Sequence, residues 1–380
     1  MPVWQGPWGA QSTLNAEEDA VPQSFACGQC GAVLAFEPGT ESLACAYCGH
    51  TNEIKALKIE IDERDLHQAL AGYAKTAPEE VKLTQNCENC AGEFTFFADQ
   101  HAGLCPYCST PTVQPPANNR PVAPDGLLPF LIGDAEAQRL MRNWLKKLWF
   151  APSKLAEHAS EPDSLHGAYL PYFTFDSETD TTYRGQRGDI YYETVRVRQN
   201  INGKSVMRTQ RVPKIRWTPV SGRVQRFFDD VLVPATGRQD RKLLDKIDHW
   251  DLLGLKPYRD SYLSGFESSL YDRTVHAGRK DAEEIMKSHI AFDIRRQIGG
   301  DQQRIQAMQV QHSDEKFKLI LLPVWTTVFA FLGKRYPVFI NGRTGEVAGH
   351  RPYSLWKIAG AVLLALIILG IAAGVAAVAR

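Results

Sequence analysis

The residues most able to do chemistry are the cysteines. All eight fall into two quartets, Cys27, Cys30, Cys45 and Cys48, then Cys87, Cys90, Cys105 and Cys108. Each C-x2-C turn puts two thiols on one small loop. Two such turns facing each other supply the four soft ligands of a tetrahedral zinc ion. Two Zn2+ per chain are therefore expected, with a rubredoxin-like iron site as the alternative for the same ligands. Four protein sulfurs leave no open position for water, so both sites read as structural, and metal binding carries much of the folding free energy of such small units. Gly28, Gly31 and Gly49 suit the tight turns of the first quartet, where the second has Ala91 and Ser109 at two of the matching places. His50 and His101 lie nearby, but complete quartets leave them as surface residues. The N-terminal stretch lacks a basic segment followed by an apolar run, so no secretory signal is read there. Thiols in this pattern without such a signal point to metal binding in a reducing compartment.

A second group could hold anions. Residues 184–226 contain Arg184, Arg187, Arg196, Arg198, Lys204, Arg208, Arg211, Lys214, Arg216, Arg223 and Arg226, opposed only by Asp189 and Glu193. Asn202-Gly203 is a two-residue hairpin signal. Pairing across it sets Val197 opposite Arg208 and Arg198 opposite Met207. Neither face is cleanly apolar, so the hairpin is expected to project into solvent. Arg196, Arg198, Lys204, Arg208, Arg211, Lys214 and Arg216 are the candidate anion-binding residues. The open readings are a solvated arm, contact with anionic lipid, protein contact, and nucleic-acid binding with Tyr191, Tyr192 and Trp217 stacking on bases.

Catalytic constellations are not evident. Gly203-Lys204-Ser205 resembles the end of a phosphate-binding loop, but Arg198 stands where the loop's first glycine belongs, and the segment reads as a turn. Asp229-Asp230 and the group Asp281, Glu283 and Glu284 read as a cap or a solvated helix face. His249, His276, His289 and His312 have no partner visible in sequence. No enzymatic activity is expected.

The elements that must position these groups follow from patterning. With 380 residues, 44% hydrophobic and 23% charged, the chain has room for two or three domains. Its net charge of +0 conceals an acidic front of about −9 over residues 1–120 and a basic remainder of about +9. We read a flexible tail at 1–24, a zinc ribbon at 25–55, a helical spacer at 56–84, a second ribbon at 85–113, a Pro-rich linker at 114–129, an α+β domain at 130–355 and a C-terminal transmembrane anchor at 356–380. In the spacer, Asp62 is the expected cap of a helix carrying Leu66, Leu70 and Tyr73. In the α+β domain the pattern predicts helices over 134–149 and 279–297. Strands are predicted from Tyr169 to about Val233 and over 305–310, 317–331 and 336–340, with a turn at 341–345. The runs starting at Tyr169 and Leu321 resemble each other, as in a degenerate duplication. Residues 358–379 carry no charged side chain, and about 22 residues of helix span the ~30 Å hydrocarbon core. Arg351 and Lys357 on the N-terminal flank put the large part of the chain in the cytoplasm, on a single-pass tail anchor. Gly370 and Gly374 form a G-x-x-x-G through which two copies could associate. Few basic residues lie between Cys27 and Cys108, namely Lys55, Lys58, Arg64, Lys75 and Lys82. That favours protein over nucleic acid as the partner of the ribbons.

Several stretches carry a family resemblance: Leu145-Lys-Lys-Leu-Trp-Phe-Ala-Pro, Tyr169-Leu-Pro-Tyr-Phe-Thr-Phe-Asp, Tyr183-Arg-Gly-Gln-Arg-Gly-Asp, Ser221-Gly-Arg-Val-Gln-Arg-Phe-Phe-Asp-Asp, Leu322-Pro-Val-Trp and Asn341-Gly-Arg-Thr-Gly-Glu-Val. With the cysteines, they resemble a bacterial family of membrane-anchored, TFIIB-type zinc-ribbon proteins, often labelled primosomal protein N′ or replication-restart helicase. The nucleotide-binding motifs a helicase needs are not found in this chain. The resemblance implies a membrane scaffold that recruits soluble partners, in envelope-stress or flotillin-like assemblies. The alternative is a replication-associated nucleic-acid binder without helicase activity of its own. Of the family's functional residues only the cysteines are carried over.

Overall fold

The computed structural model describes residues 25–55, 61–72, 83–86, 93–96, 100–104, 111–113, 124–152, 155, 165–201, 204–237, 239–269 and 271–378. It is a multidomain α+β architecture, mostly sheet. The elements are β1 (Ala35–Phe36), β2 (Ser42–Ala44), β3 (Thr51–Glu53), β4 (Arg64–Asp65), α1 (Leu66–Gly72), β5 (Leu83–Asn86), β6 (Glu93–Phe96), β7 (Gln100–Leu104), β8 (Pro111–Val113), β9 (Gly126–Leu127) and α2 (Asp134–Lys146). They continue with β10 (His166–Ile201), β11 (Lys204–Pro234), α3 (Arg241–Leu244), β12 (Lys256–Pro257), β13 (Glu267–Ser269), α4 (Val275–Ile298), β14 (Gln302–Phe331), β15 (Lys334–Asn341), β16 (Val347–Gly349) and α5 (Leu355–Val378).

The long strands β10, β11 and β14 form the spine. β10 and β11 are the arms of one hairpin, and β14 runs antiparallel along the other edge of β10. The run 319–325 is apolar without alternation because both faces of the sheet are covered there. Phe317 and Leu319 join a core with Phe173, Phe175 and the buried row Ala282, Met286, Ile290, Ile294 and Ile298 of α4. Ile320, Leu322 and Val324 face the other way, onto Leu243, Leu244 and Ile247. From 302 to 313 half-buried and exposed residues alternate, as expected for a strand covered on one face only. The two resembling runs are neighbours, with Leu170 opposite Leu322 and Tyr169 opposite Pro323.

Several expectations are corrected. Residues 305–310 and 317–331 belong to one continuous strand, because the intervening Gln311–Lys316 stays paired with β10 through a bulge at Asp176/Glu178. The α1 helix starts at Leu66, where Asp65, not Asp62, accepts from Gln68 N at 2.8 Å. Tyr73 lies outside the described residues. The ribbons were expected to hang from a Pro-rich tether, apart from the α+β domain. Instead β4 pairs with β14, β7 pairs with β13, and β8 pairs with β7, so segments before residue 114 extend the main sheet. Each of these contacts fills hydrogen-bond positions that an exposed edge would leave open.

The first four-cysteine unit is docked in the same way. Phe36 sits in a ring cluster with Tyr262 (centroids 5.3 Å apart) and Phe266 (6.3 Å). Phe36 N donates to Ser264 O at 2.9 Å, and Ser264 Oγ donates to Leu34 O at 2.7 Å. Leu34, Phe36, Leu43 and Ile54 share one core with Phe130, Tyr262 and Phe266 of the α+β unit.

Candidate metal centre

Cys27, Cys30, Cys45 and Cys48 converge at one end of the small β1–β2–β3 sheet. Their two turns follow one hydrogen-bond plan. Cys27 N donates to Ala32 O (2.7 Å) and Gly31 N to Cys27 O (2.9 Å), while Cys45 N donates to His50 O and Gly49 N to Cys45 O (both 2.9 Å). The plan needs a left-handed residue at the end of each turn, and Gly31 and Gly49 supply it at φ 74° and 72°. The Sγ atoms of Cys27 and Cys48 are 3.6 Å apart, as are those of Cys30 and Cys45, and all four lie within 4.8 Å of one another. Sulfurs about 2.3 Å from a central zinc would be about 3.8 Å from each other. The cluster therefore has the dimensions of a tetrahedral site that could hold zinc.

Its electrostatics point the same way. Amides of Gln29 and Cys30 aim at Cys27 and lower its pKa, and those of Cys48 and Tyr47 bring Cys45 down to about 7. At Cys48 the His50 amide pulls down as well, but burial and the three neighbouring sulfurs outweigh it and push the thiol up to about 12. Half the cluster is prepared as thiolate and half resists becoming so. A central cation would remove that conflict. His50 is exposed, as expected of a residue outside the quartet. Cys87, Cys90, Cys105 and Cys108 lie outside the described residues, so one four-cysteine site is shown.

The basic hairpin has the register read from its turn, with Val197 opposite Arg208 and Arg198 opposite Met207. Asn202 and Gly203 themselves lie outside the described residues. The last pair that β10 makes with β14 is Gly188 with Gln302. Beyond it, residues 189–201 and 204–216 form a two-stranded ribbon. Residues directly opposite share a face. One face carries Arg196, Arg198 and Arg211 with Tyr192, Thr194, Met207 and Thr209, and no carboxylate. Both acids are on the other face, where Lys214 pairs with Glu193, and Asp189 accepts from Arg187 at 2.9 Å; Arg208 and Arg216 also lie there. Lys204 is opposite Ile201 at the tip. Arg211 lies over Tyr192 and Arg216 over Tyr191, each 5.2 Å from the ring centroid. Arg304 lies over Trp217, 3.9 Å from the ring centroid.

A carboxylate cluster was missed in the sequence. Asp229-Asp230, read as a cap or helix face, instead sits at a bend of β11, with Asp230 at φ 51° and its amide donating to buried Asp176 at 2.6 Å. Oxygens of Asp176, Asp229 and Asp230 lie within 4.8 Å of one another. Lys318 Nζ already supplies a cation, 2.8 Å from Asp230 and 3.2 Å from Glu63. Burial, with help from the Asp230 and Glu63 charges, raises Asp176 to about 7. Asp176 comes from a strand more than fifty residues away, so no local spacing could have revealed it. The other acids are in ion pairs. Asp281 meets Arg241 (2.8 Å) and Arg273 (2.9 Å), Glu283 meets Arg279 (3.2 Å) and Glu284 meets Lys287 (2.6 Å). His312 Nδ1 is 3.1 Å from Ser177 Oγ, and His249 Nδ1 is 3.0 Å from Glu346.

The helix α5 is long and apolar enough to cross a membrane. The 18 residues Leu355–Ala372 have a mean hydropathy of 2.4, and none is buried. Gly370 and Gly374 lie one turn apart on it, with open space where a Cβ would point.

The chain is similar to YdjG, an uncharacterized protein of Bacillus subtilis (strain 168), at 26% identity over 344 residues, covering 88% of this chain and 92% of that one. No family model matches the chain, and no solved structure does.

Proposed function

We infer that the protein is a membrane-anchored zinc-ribbon adaptor that presents its α+β body and basic ribbon to protein partners at the cytoplasmic face. The observation that carries this reading is the pairing of two exposed features on one folded body. None of the 18 residues Leu355–Ala372 of α5 is buried, and among the described residues the ribbon beyond Gly188 pairs with no third strand. An uncovered helix of this kind needs lipid. A ribbon that buries little of its own chain has its surface free for another molecule. Zinc on the first quartet, and on the second as the sequence predicts, would hold the ribbons as rigid structural units. The resemblance to membrane-anchored TFIIB-type zinc-ribbon proteins agrees with this role. Gly370 and Gly374 would let two anchors approach closely.

The ribbon is remote from the anchor along the sheet. Residues 347–349 pair with β15, β15 pairs with β14, and Thr326 of β14 is opposite His166. The tip at Ile201 is a further 35 residues along β10, about 115 Å of strand at about 3.3 Å per residue. Surface potentials decay over about 8 Å at physiological salt. This supports a soluble anionic partner for the ribbon over lipid of the same membrane.

One observation favours a second reading, nucleic-acid binding. The face bearing Arg196, Arg198 and Arg211 has no carboxylate. The test uses the full-length chain in lipid nanodiscs, with DNA and RNA offered at ~0.15 M salt. The adaptor reading expects only weak binding of nucleic acid at this salt, alike for DNA and RNA and set by charge alone. Tight binding that disappears in Arg196→Glu/Arg198→Glu overturns it.

A further inference from the structure

The helix α2 ends in Lys146 and Lys147, and the chain then makes a short turn through Leu148, Trp149 and Phe150. Leu148 is buried in the core and pins this turn. Trp149, next to it, points the other way and is 77% exposed. Such a ring is costly to leave in water, roughly 2 kcal/mol for an aromatic or aliphatic side chain. The backbone is held, because Trp149 N donates to Lys147 O at 2.9 Å and Ala151 N to Leu148 O at 3.0 Å.

The turn is also tied to the start of α5. Ser354 N donates to Phe150 O at 2.8 Å, and Lys357 Nζ donates to Ala151 O at 2.8 Å. Phe150 thus stands beside Tyr353, and their chain neighbours Trp149 and Trp356 are both exposed. Between Phe150, Tyr353 and the first turns of α5 lies a groove of about 390 Å³, lined besides by Ile358, Ala361, Val362 and Ala365. These four aromatic residues come from two places in the sequence, and the fold brings them to the end of the apolar helix. Lys146 and Lys147, which precede the turn, are exposed as well. Aromatic rings with basic side chains above them are the composition of a membrane–water interface.

We propose that the turn at Lys146–Phe150 is a second membrane-contacting element. Trp149 and Phe150 enter the headgroup boundary beside α5, the two lysines meet lipid phosphates, and the groove takes the upper methylenes of one acyl chain. The occupant is the lipid surface, argued from continuity with α5, and the inference rests on the reading of that helix as membrane-spanning. Two contacts instead of one fix the tilt of the body over the bilayer. A single helix joined to the body at one point would leave that tilt free.

The test is fluorescence of the full-length chain in phosphatidylcholine–phosphatidylglycerol vesicles, with and without lipids brominated near the carboxyl end of the acyl chain. Wild type is compared with Trp149→Phe and Trp356→Phe, both at exposed positions where the conservative change leaves the fold intact. The difference spectrum for each variant isolates one indole. Both indoles are expected to emit to the blue and to be quenched by brominated lipid. Loss of phosphatidylglycerol, or Lys146→Gln/Lys147→Gln, is expected to weaken quenching of Trp149 and leave that of Trp356. A quenched Trp356 beside an unquenched, water-exposed Trp149 overturns the inference alone. If neither is quenched, the membrane reading of α5 fails as well.

Discussion

The four-cysteine unit and the basic ribbon are both small pieces of β structure at the margins of the main sheet, and the chain fastens only one of them. The unit turns Leu34, Phe36 and Leu43 inward onto Tyr262, Phe266 and Phe130, and knots its far end with four sulfurs. The ribbon has nothing comparable. Its residues alternate between a basic face and a mixed-charge face, and it is held by its backbone ladder with arginines lying on tyrosine rings. Apolar side chains on a short strand commit it to a core, because water drives them there; charge on both faces leaves a strand in solvent. The difference divides labour. Substitutions in the unit act on stability, and substitutions in the ribbon act on whatever the ribbon meets.

The largest effect is expected at the sulfurs. Cys45→Ser removes a ligand from the centre of the first site, and structural zinc contributes about 10 kcal/mol or more to comparable small domains. The variant is expected to lose one zinc per chain by metal analysis and to melt well below wild type. Because the unit shares a core with Phe130 and Phe266, the loss should spread into the α+β body. An unchanged body transition after loss of the metal would mean that the docking contributes nothing.

Phe36→Ala tests the docking directly. The ring is 3% exposed and touches two aromatic rings. Its removal is expected to cost about 3–5 kcal/mol. The variant should still bind zinc, since all four cysteines remain. In it, chelation should no longer shift the main melting transition. A double-mutant cycle between Phe36→Ala and Phe266→Ala measures the coupling.

What the sequence disclosed follows the same division. Local spacing carried the knuckles, the hairpin register around Asn202-Gly203 and the apolar helix, because each depends on residues close together in the chain. The α4 helix, read over 279–297, was legible for the same reason. The docking of Phe36 on Tyr262 and Phe266 was not, since the short apolar run Val33-Leu34-Ala35-Phe36 states that it will be buried but not against what. The pairing of β4 with β14, and the meeting of Asp176, Asp229, Asp230 and Lys318, join segments that no periodicity links. In the sequence Trp149 is only the last residue of the helix expected over 134–149. Only the fold puts it at the start of α5.

Asp176 lies between the two regions, at the bulges where the buried part of β10 gives way to its hairpin. Its pKa of about 7 in the folded protein stands above its ordinary value of 3.8. Between those values the folded state holds a proton that the unfolded state has lost, so this group's contribution to stability is present at low pH and falls as pH rises to about 7. Asp176→Asn keeps the acceptor for the Asp230 amide and cannot ionise. The variant is expected to gain on wild type from pH 5 to pH 8 by about 1–3 kcal/mol, discounted for the Lys318 countercharge. Denaturant melts across that range read the slope. A parallel pH dependence in the two proteins would place the proton elsewhere.

The smallest effect on stability, and the sharpest on binding, is expected in the ribbon. Arg196→Glu/Arg198→Glu reverses two charges on the face without carboxylates, and Arg208→Glu/Lys214→Glu reverses two on the face that already holds Asp189 and Glu193. Exposed substitutions of this kind change stability by about 0.5 kcal/mol or less, so both variants should melt with wild type. Their contacts should differ. With polyglutamate as a soluble anionic probe, the first pair is expected to abolish binding and flatten its salt dependence. The second should weaken binding far less, because Lys214 already spends its charge on Glu193. Equal loss in the two variants would mean that the ribbon acts through net charge alone. Unequal loss assigns the contact to the face of Arg196, Arg198 and Arg211, the one surface of the ribbon whose charges are not compensated by carboxylates of the same face.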